Sequence, residues 1–103
     1  MPVEGVLNPN NRGEQRMGVV KIFYKDDCPK CPLAKQLRDK LRERDVNVLT
    51  YNVGTADGLA EASFYSIMSL PTVLVEDTME NGIGEWRGDV PKMEEVLTVV
   101  HSA

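Results

Sequence analysis

Cys28 and Cys31 are the two cysteines of the chain, and they stand in the run Asp26-Asp27-Cys28-Pro29-Lys30-Cys31. A thiol becomes a nucleophile when it ionises. Ionisation is favoured at a helix N-terminus, where backbone N–H groups lack partners and the peptide dipoles turn their positive ends. A second thiol three positions on can displace whatever the first has captured, which is the requirement for dithiol–disulfide exchange. Cys28 is therefore assigned as the attacking nucleophile, and Cys31, one turn into the helix and more buried, as the resolving thiol. A purely structural disulfide competes with this reading, but so small a loop would contribute only about 2 kcal/mol. Tetrahedral zinc wants four ligands. Beyond the thiols the chain offers one histidine, His101, near the far terminus, and only a bridged dimer would complete the set.

The charges around the pair pull in two directions. Lys25, three residues before Cys28, can stabilise its thiolate or the carboxylate of a bound thiol peptide, and Lys30 adds positive charge to the same rim. Asp26 and Asp27 either oppose ionisation of Cys28 or cap the helix after it. Trp86 reads as a core residue, and the methionines Met68, Met79 and Met93 need no cofactor to explain them.

Positioning these residues requires a strand before the cysteines and a helix after them. Gly18 to Tyr24 is β-branched and aromatic with little alternation, as expected of a central strand covered on both faces. From Pro32 to about Arg44, Leu33, Leu37 and Leu41, with Ala34 beside them, mark the inward face of a helix whose last turn is basic. Val46 to Val53 reads as a second strand, and two strands joined by one helix make a parallel, right-handed crossover. Gly54 ends it. Thr55 or Asp57 can cap a helix from Ala56 to about Met68, with Leu59, Ala62, Ser63 and Ile67 inward and Gly58 weakening its start. Leu70-Pro71-Thr72 leads into a strand from Val73 to Glu76, and Asn81-Gly82 turns the chain back into Ile83 to Arg87. Gly88-Asp89 breaks that strand and offers an N-cap. A last helix, with Pro91 in its first turn, runs to about His101 and buries Met93, Val96, Leu97 and Val100. Residues 1–17 lack an apolar period and read as a mobile head on a domain spanning 18–103.

Composition narrows the classes of function. In 103 residues there are 16 acidic and 12 basic side chains, a formal net charge of −4, with no long block of one sign. Neither nucleic acid nor an anionic membrane is an expected partner. Apolar runs fall far short of the roughly 20 residues a membrane helix needs. No secretory signal is visible at the start, so the expected setting is the cytoplasm, where a close cysteine pair is more often catalytic or metal-binding than structural.

The order β-α-β-α-β-β-α, with Cys-x-x-Cys at the first strand-to-helix junction and a proline opening the third strand, resembles the thioredoxin fold in its short glutaredoxin form. The resemblance covers about residues 18 to 101 and implies an α/β architecture, a four-stranded mixed sheet flanked by three helices. Lys25-Asp26-Asp27-Cys28-Pro29-Lys30-Cys31 is similar to the glutaredoxin pattern Lys-x-x-Cys-Pro-x-Cys, whereas Ser66-Ile67-Met68-Ser69-Leu70-Pro71-Thr72-Val73 is more like the thioredoxin segment that carries a cis-proline. Trp86-Arg87-Gly88-Asp89-Val90-Pro91-Lys92-Met93 resembles a stretch of the small redoxins that supply ribonucleotide reductase, agreeing at Trp86, Gly88, Pro91 and Met93.

The resemblance implies a thiol–disulfide oxidoreductase. Such a protein would reduce disulfide-containing client proteins as a monomer with no bound cofactor. Read from the residue alone, Pro71 is either cis or a trans proline opening an edge strand; the resemblance implies a cis bond, with Leu70, Pro71 and Thr72 meeting an extended client. Gly88 and Asp89 fall where glutaredoxins hold glutathione, a candidate co-substrate, and Val90 takes the first acidic position of that stretch. The expected reductant is a thioredoxin-reductase type enzyme rather than glutathione. The alternative function is a binding module on the same fold, holding a metal or iron–sulfur cluster through the cysteine pair at a dimer interface.

Overall fold

The computed structural model describes residues 18–102; the expected head at 1–17 and Ala103 lie outside them. β1 (Val19–Tyr24) lies inside the sheet because its β-branched and aromatic side chains have cover on both faces. β2 (Val48–Asn52) pairs with it in parallel, β3 (Thr72–Glu76) antiparallel on its other side, and β4 (Gly82–Arg87) antiparallel to β3, so the order is β2-β1-β3-β4. The helices are α1 (Cys31–Glu43), α2 (Ala56–Phe64) and α3 (Met93–His101). The expected β-α-β-α-β-β-α order and mixed sheet are both present.

Alternation along β1 sorts the core into two parts. Val20 and Ile22 meet Ala34, Leu37 and Leu41 of α1, Val73 and Val75 of β3, and Val96 and Val100 of α3. Phe23 points the other way, to Leu74 and to Ala62 of α2, and its ring stacks on Tyr51 at 5.1 Å between centroids. α1 and α3 thus share one face, and α2 has the other. No helix among the described residues is long and apolar enough to cross a membrane.

Several boundaries and faces differ from the sequence expectation. Leu33 is 53% exposed, and Cys31 takes its place in the buried stripe with Ala34, Leu37 and Leu41. A strict four-residue repeat drifts by about 40° per step against 3.6 residues per turn, so the outermost leucine rotates away from the sheet. α2 stops at Phe64 instead of reaching Met68, because Ser66 adopts a left-handed φ of +56° and the Ile67 N–H returns to the Ala62 carbonyl at 2.9 Å. Leu59 and Ser63 are exposed, leaving Gly58 and Ala62 as the buried positions of α2. A Cβ on Gly58 would collide with the Asn52 carbonyl, so this glycine is what lets α2 lie on the end of β2. Thr55 is the cap, its Oγ1 accepting from the Gly58 N–H at 3.0 Å. The β3–β4 turn is built by Asp77, whose Oδ1 accepts from the Met79 and Asn81 N–H groups at 2.9 Å. Gly82 already belongs to β4, opposite Glu76.

Two polar devices secure the sheet. On α2's side, at the end of β1 remote from the cysteines, Lys21 Nζ lies 3.2 Å from Glu76 Oε1 and 2.6 Å from the Tyr65 hydroxyl, which donates to Glu76 Oε2 at 2.6 Å. Glu61 stands 3.5 Å away. Burial alone would push the Lys21 ammonium down, but the bonds to Tyr65 and Glu76 outweigh it and hold it above its ordinary value. Burial and the bond to Glu76 raise the Tyr65 phenol. At the margin of the sheet, Arg42 Nη2 donates to the Val48 carbonyl at 2.8 Å.

Candidate redox site

The register of the sheet gathers three loops at one end. Phe23 lies opposite Thr72, and Thr72 opposite Arg87. The segments 25–30, 65–71 and 88–92 therefore leave the sheet on the same side. In the first of them the Cys28 N–H returns to the Lys25 carbonyl at 3.3 Å and the Cys31 N–H to the Cys28 carbonyl at 3.2 Å, a tight double turn that brings the two cysteine Cα atoms to 5.3 Å. Cys28 and Cys31 are joined as a disulfide. Cys31 is 2% exposed and Cys28 is half-buried, so Cys28 is the sulfur a partner can reach.

The local electrostatics depart from the sequence expectation. Cys31 is the first residue of α1, not one turn into it, and Cys28 lies in the preceding turn, before the N-cap Lys30. From Cys31 onward the donors of the first turn are already committed: Cys31 N–H to the Cys28 carbonyl and the Leu33 and Ala34 N–H groups to the Lys30 carbonyl, while Pro32 has none. What reaches Cys28 is the dipole rather than a ring of free N–H groups. Neither Asp26 nor Asp27 caps α1, which has no side-chain cap; both are exposed, as are Lys25 and Lys30. The contribution of Lys25 that sequence reasoning misses is its backbone, whose N–H donates to Cys31 Sγ at 3.4 Å. It also misses Lys35, whose ammonium lies 4.9 Å from the ring centroid of Tyr24, the residue that leads into this loop. No signal in the spacing marks either contact.

The second loop carries Leu70-Pro71 with a cis peptide bond. β3 is an interior strand buried along its whole length, which removes the edge-strand explanation of Pro71. Thr72 is fully buried and its hydroxyl donates to the Ser69 carbonyl at 2.7 Å, so its side chain supports the loop from beneath instead of facing a client. In the third loop Gly88, at φ +77°, donates its N–H to the Pro71 carbonyl at 2.8 Å, and a Cβ there would press on Ser69 at 3.3 Å. Asp89 is exposed and its carboxylate accepts from the neighbouring Val90 N–H at 2.9 Å. It does not cap α3, which begins at Met93 behind Lys92, later than expected. Val90 packs against the larger core.

Among the described residues a cleft of about 350 Å³ is bordered by Tyr65, Leu74 and Arg87, one of about 300 Å³ lies between α1 and the start of α3 against Leu33, Val90 and Met93, and one of about 480 Å³ is bordered by Lys21, Leu49 and Phe64; none of the three is lined by a cysteine. Among the described residues no group of three or more His, Cys, Asp or Glu side chains could hold a metal ion.

No family model matches the chain. The probable thioredoxin of Archaeoglobus fulgidus is 32% identical over 62 residues, covering 59% of this chain and 68% of that protein. Thioredoxin O1 of Arabidopsis thaliana, in its oxidised state, superposes with a TM-score of 0.70 at 18% identity over 89% of this chain and 86% of that one. The reduced thioredoxin pre-protein of Schistosoma mansoni gives 0.68 at 20% identity over 87% and 85%. At such identities the structures establish the thioredoxin fold, and the relative establishes the lineage: the chain belongs to the thioredoxin-like family. It is a thiol–disulfide oxidoreductase whose redox centre is the Cys28–Cys31 pair.

Proposed function

We propose that the chain reduces disulfides in client proteins by dithiol exchange, with Cys28 attacking and Cys31 resolving. The observation that carries this reading is the difference in exposure, half-buried Cys28 against a Cys31 that is 2% exposed. Cys28 as thiolate attacks one sulfur of the client disulfide; that bond breaks, and the departing client sulfur leaves as a thiolate and takes a proton from water. Cys31, once ionised, attacks Cys28 Sγ, releases the second client thiolate and leaves the Cys28–Cys31 disulfide. Two electrons have passed to the client, and no bound cofactor is needed, because the two thiols carry both. The Lys25 N–H that donates to Cys31 Sγ would stabilise charge on that sulfur, and the Leu70-Pro71 segment, which leaves the sheet at the same end as the cysteine loop, is read as a peptide-accepting edge.

The electron source is a thioredoxin-reductase type enzyme with NADPH, in preference to glutathione. A small tripeptide must be held by its charged ends. Here the position that would carry the first acidic group of a glutathione site is Val90, an apolar residue packed against the core, and one oxygen of the exposed Asp89 carboxylate accepts from the Val90 N–H. The working unit is a monomer in a reducing, cytoplasmic setting.

Cys31→Ser should trap disulfide-linked clients that Cys28→Ser does not; equal trapping by both would remove the assignment of roles. Reduction of the wild-type disulfide should be at least about tenfold faster with reductase and NADPH than with millimolar glutathione, a margin of about 1.4 kcal/mol in activation free energy. The reverse order would return the chain to glutathione chemistry.

A further inference from the structure

Arg87 ends β4, beside the loop that carries the cis bond, and its guanidinium reaches the end of α2. Nη1 donates to the Ser66 carbonyl at 3.1 Å and Nη2 to the Tyr65 carbonyl at 3.3 Å, while Nε is anchored 2.7 Å from Glu85 Oε2. The backbone it meets is one that needs holding. Ser66 occupies the left-handed position usually given to glycine, and α2 has no basic residue in its last turn to answer its outward carbonyls. Arg87 supplies that cation from another strand.

The same stretch ties down the far side of the loop. Arg87 lies opposite Thr72 in the ladder, and the next N–H, that of Gly88, donates to the Pro71 carbonyl at 2.8 Å. The segment from Ser66 to Pro71, which holds Leu70 and the 92% exposed Met68, is thereby gripped at both ends by the dipeptide Arg87-Gly88, by a side chain at one end and by an amide at the other. We propose that Arg87 is a positioning residue for client recognition: without touching sulfur, it sets where Leu70 presents its backbone to an extended client segment. This rests on the reading of Leu70-Pro71 as a peptide-accepting edge.

The test compares wild type, Arg87→Ala and Arg87→Lys in two reactions of the full chain: reduction of insulin with dithiothreitol as the electron source, and reaction of the reduced pair with the small disulfide 5,5′-dithiobis(2-nitrobenzoate). Arg87→Ala should raise KM for insulin about fivefold with kcat unchanged, as expected when a binding geometry is lost and the chemistry is not. The rate with the small disulfide should stay within about twofold, because that reaction needs only an accessible Cys28. Arg87→Lys keeps the charge but not the two-pronged fork, and should recover part of the KM. Adding Ser66→Gly to Arg87→Ala should restore the melting temperature and leave KM raised. Recovery of both, or equal losses in the two reactions, would reduce Arg87 to a support of the helix end and overturn the proposal. Hydrogen exchange at the Leu70 amide separates the two layers of the inference. A Leu70 amide unmoved in Arg87→Ala, with KM unchanged, discards the role of Arg87 alone. A moved amide with unchanged KM discards the peptide-accepting edge, and the proposal with it.

Discussion

At one end of the sheet Lys25, Asp26, Asp27 and Lys30 stand exposed around Cys28 on turns held by backbone hydrogen bonds; at the other, Lys21, Glu76 and Tyr65 are bound side chain to side chain, with Glu76 only 4% exposed. β1 serves both ends, from Lys21 to Tyr24. The difference stems from the dielectric. Charges left in water interact weakly and tune a neighbour without fixing it, whereas a carboxylate removed from water must be paired and hydrogen-bonded or it unfolds its surroundings. Reactivity is placed where charge is weakly coupled, and stability where it is strongly coupled. The two ends should therefore respond separately to mutation.

The largest expected break in that contrast is at the buried end. Glu76→Ala leaves Lys21 without its main partner and should cost about 3–5 kcal/mol in denaturant unfolding, with the exchange rate of the folded protein unchanged. A parallel loss of redox rate would show that the ends are coupled. Next in size is the alkaline limb of stability. The Lys21 ammonium and the Tyr65 phenol are both held above their ordinary values in the folded protein. For both groups the protonated form is favoured by folding, so the stabilisation is complete below the unfolded values and declines as pH rises beyond about 10. The double variant Lys21→Met/Glu76→Leu should keep most of the stability at neutral pH and lose much of that slope; an unaltered alkaline limb would mean that other groups govern it. The smallest effect belongs to the exposed end. Asp26→Ala with Asp27→Ala removes two carboxylates near Cys28, favours its thiolate and so stabilises the reduced form, making the protein a stronger oxidant by about 10–30 mV. A shift toward stronger reduction would contradict the weak-coupling account.

These contrasts also explain what can be read from the chain in one dimension. The cysteine pair, Pro71 and the order of elements announce themselves locally, through spacing, a ring-constrained residue and runs of β-branched or amphipathic character. The buried cluster does not, because Lys21 and Glu76 meet only through the antiparallel register of β1 and β3 that sets Val19 opposite Glu76. A lysine inside an apolar strand gives no hint of its partner. Leu33 misleads for a different reason, since four-residue spacing is only an approximation to the helical turn. Gly58 reads as a weakness in a helix and proves to be a packing requirement, which depends on the Asn52 backbone it touches. Lys25 draws notice in the sequence for its ammonium, whereas the contact that the fold creates uses its amide.

The bond from Arg42 to the Val48 carbonyl bears on how copies of the molecule behave toward one another. β2 is the outermost strand on its side of the four-stranded sheet, and such a strand presents unsatisfied groups that template the addition of another chain. Arg42 occupies one of those acceptors with a charged donor, and an arriving strand would have to displace that cation before it could continue the ladder. The arginine thus works as a gatekeeper against edge-to-edge growth, and its replacement by leucine should appear as concentration-dependent aggregation before any loss of redox activity.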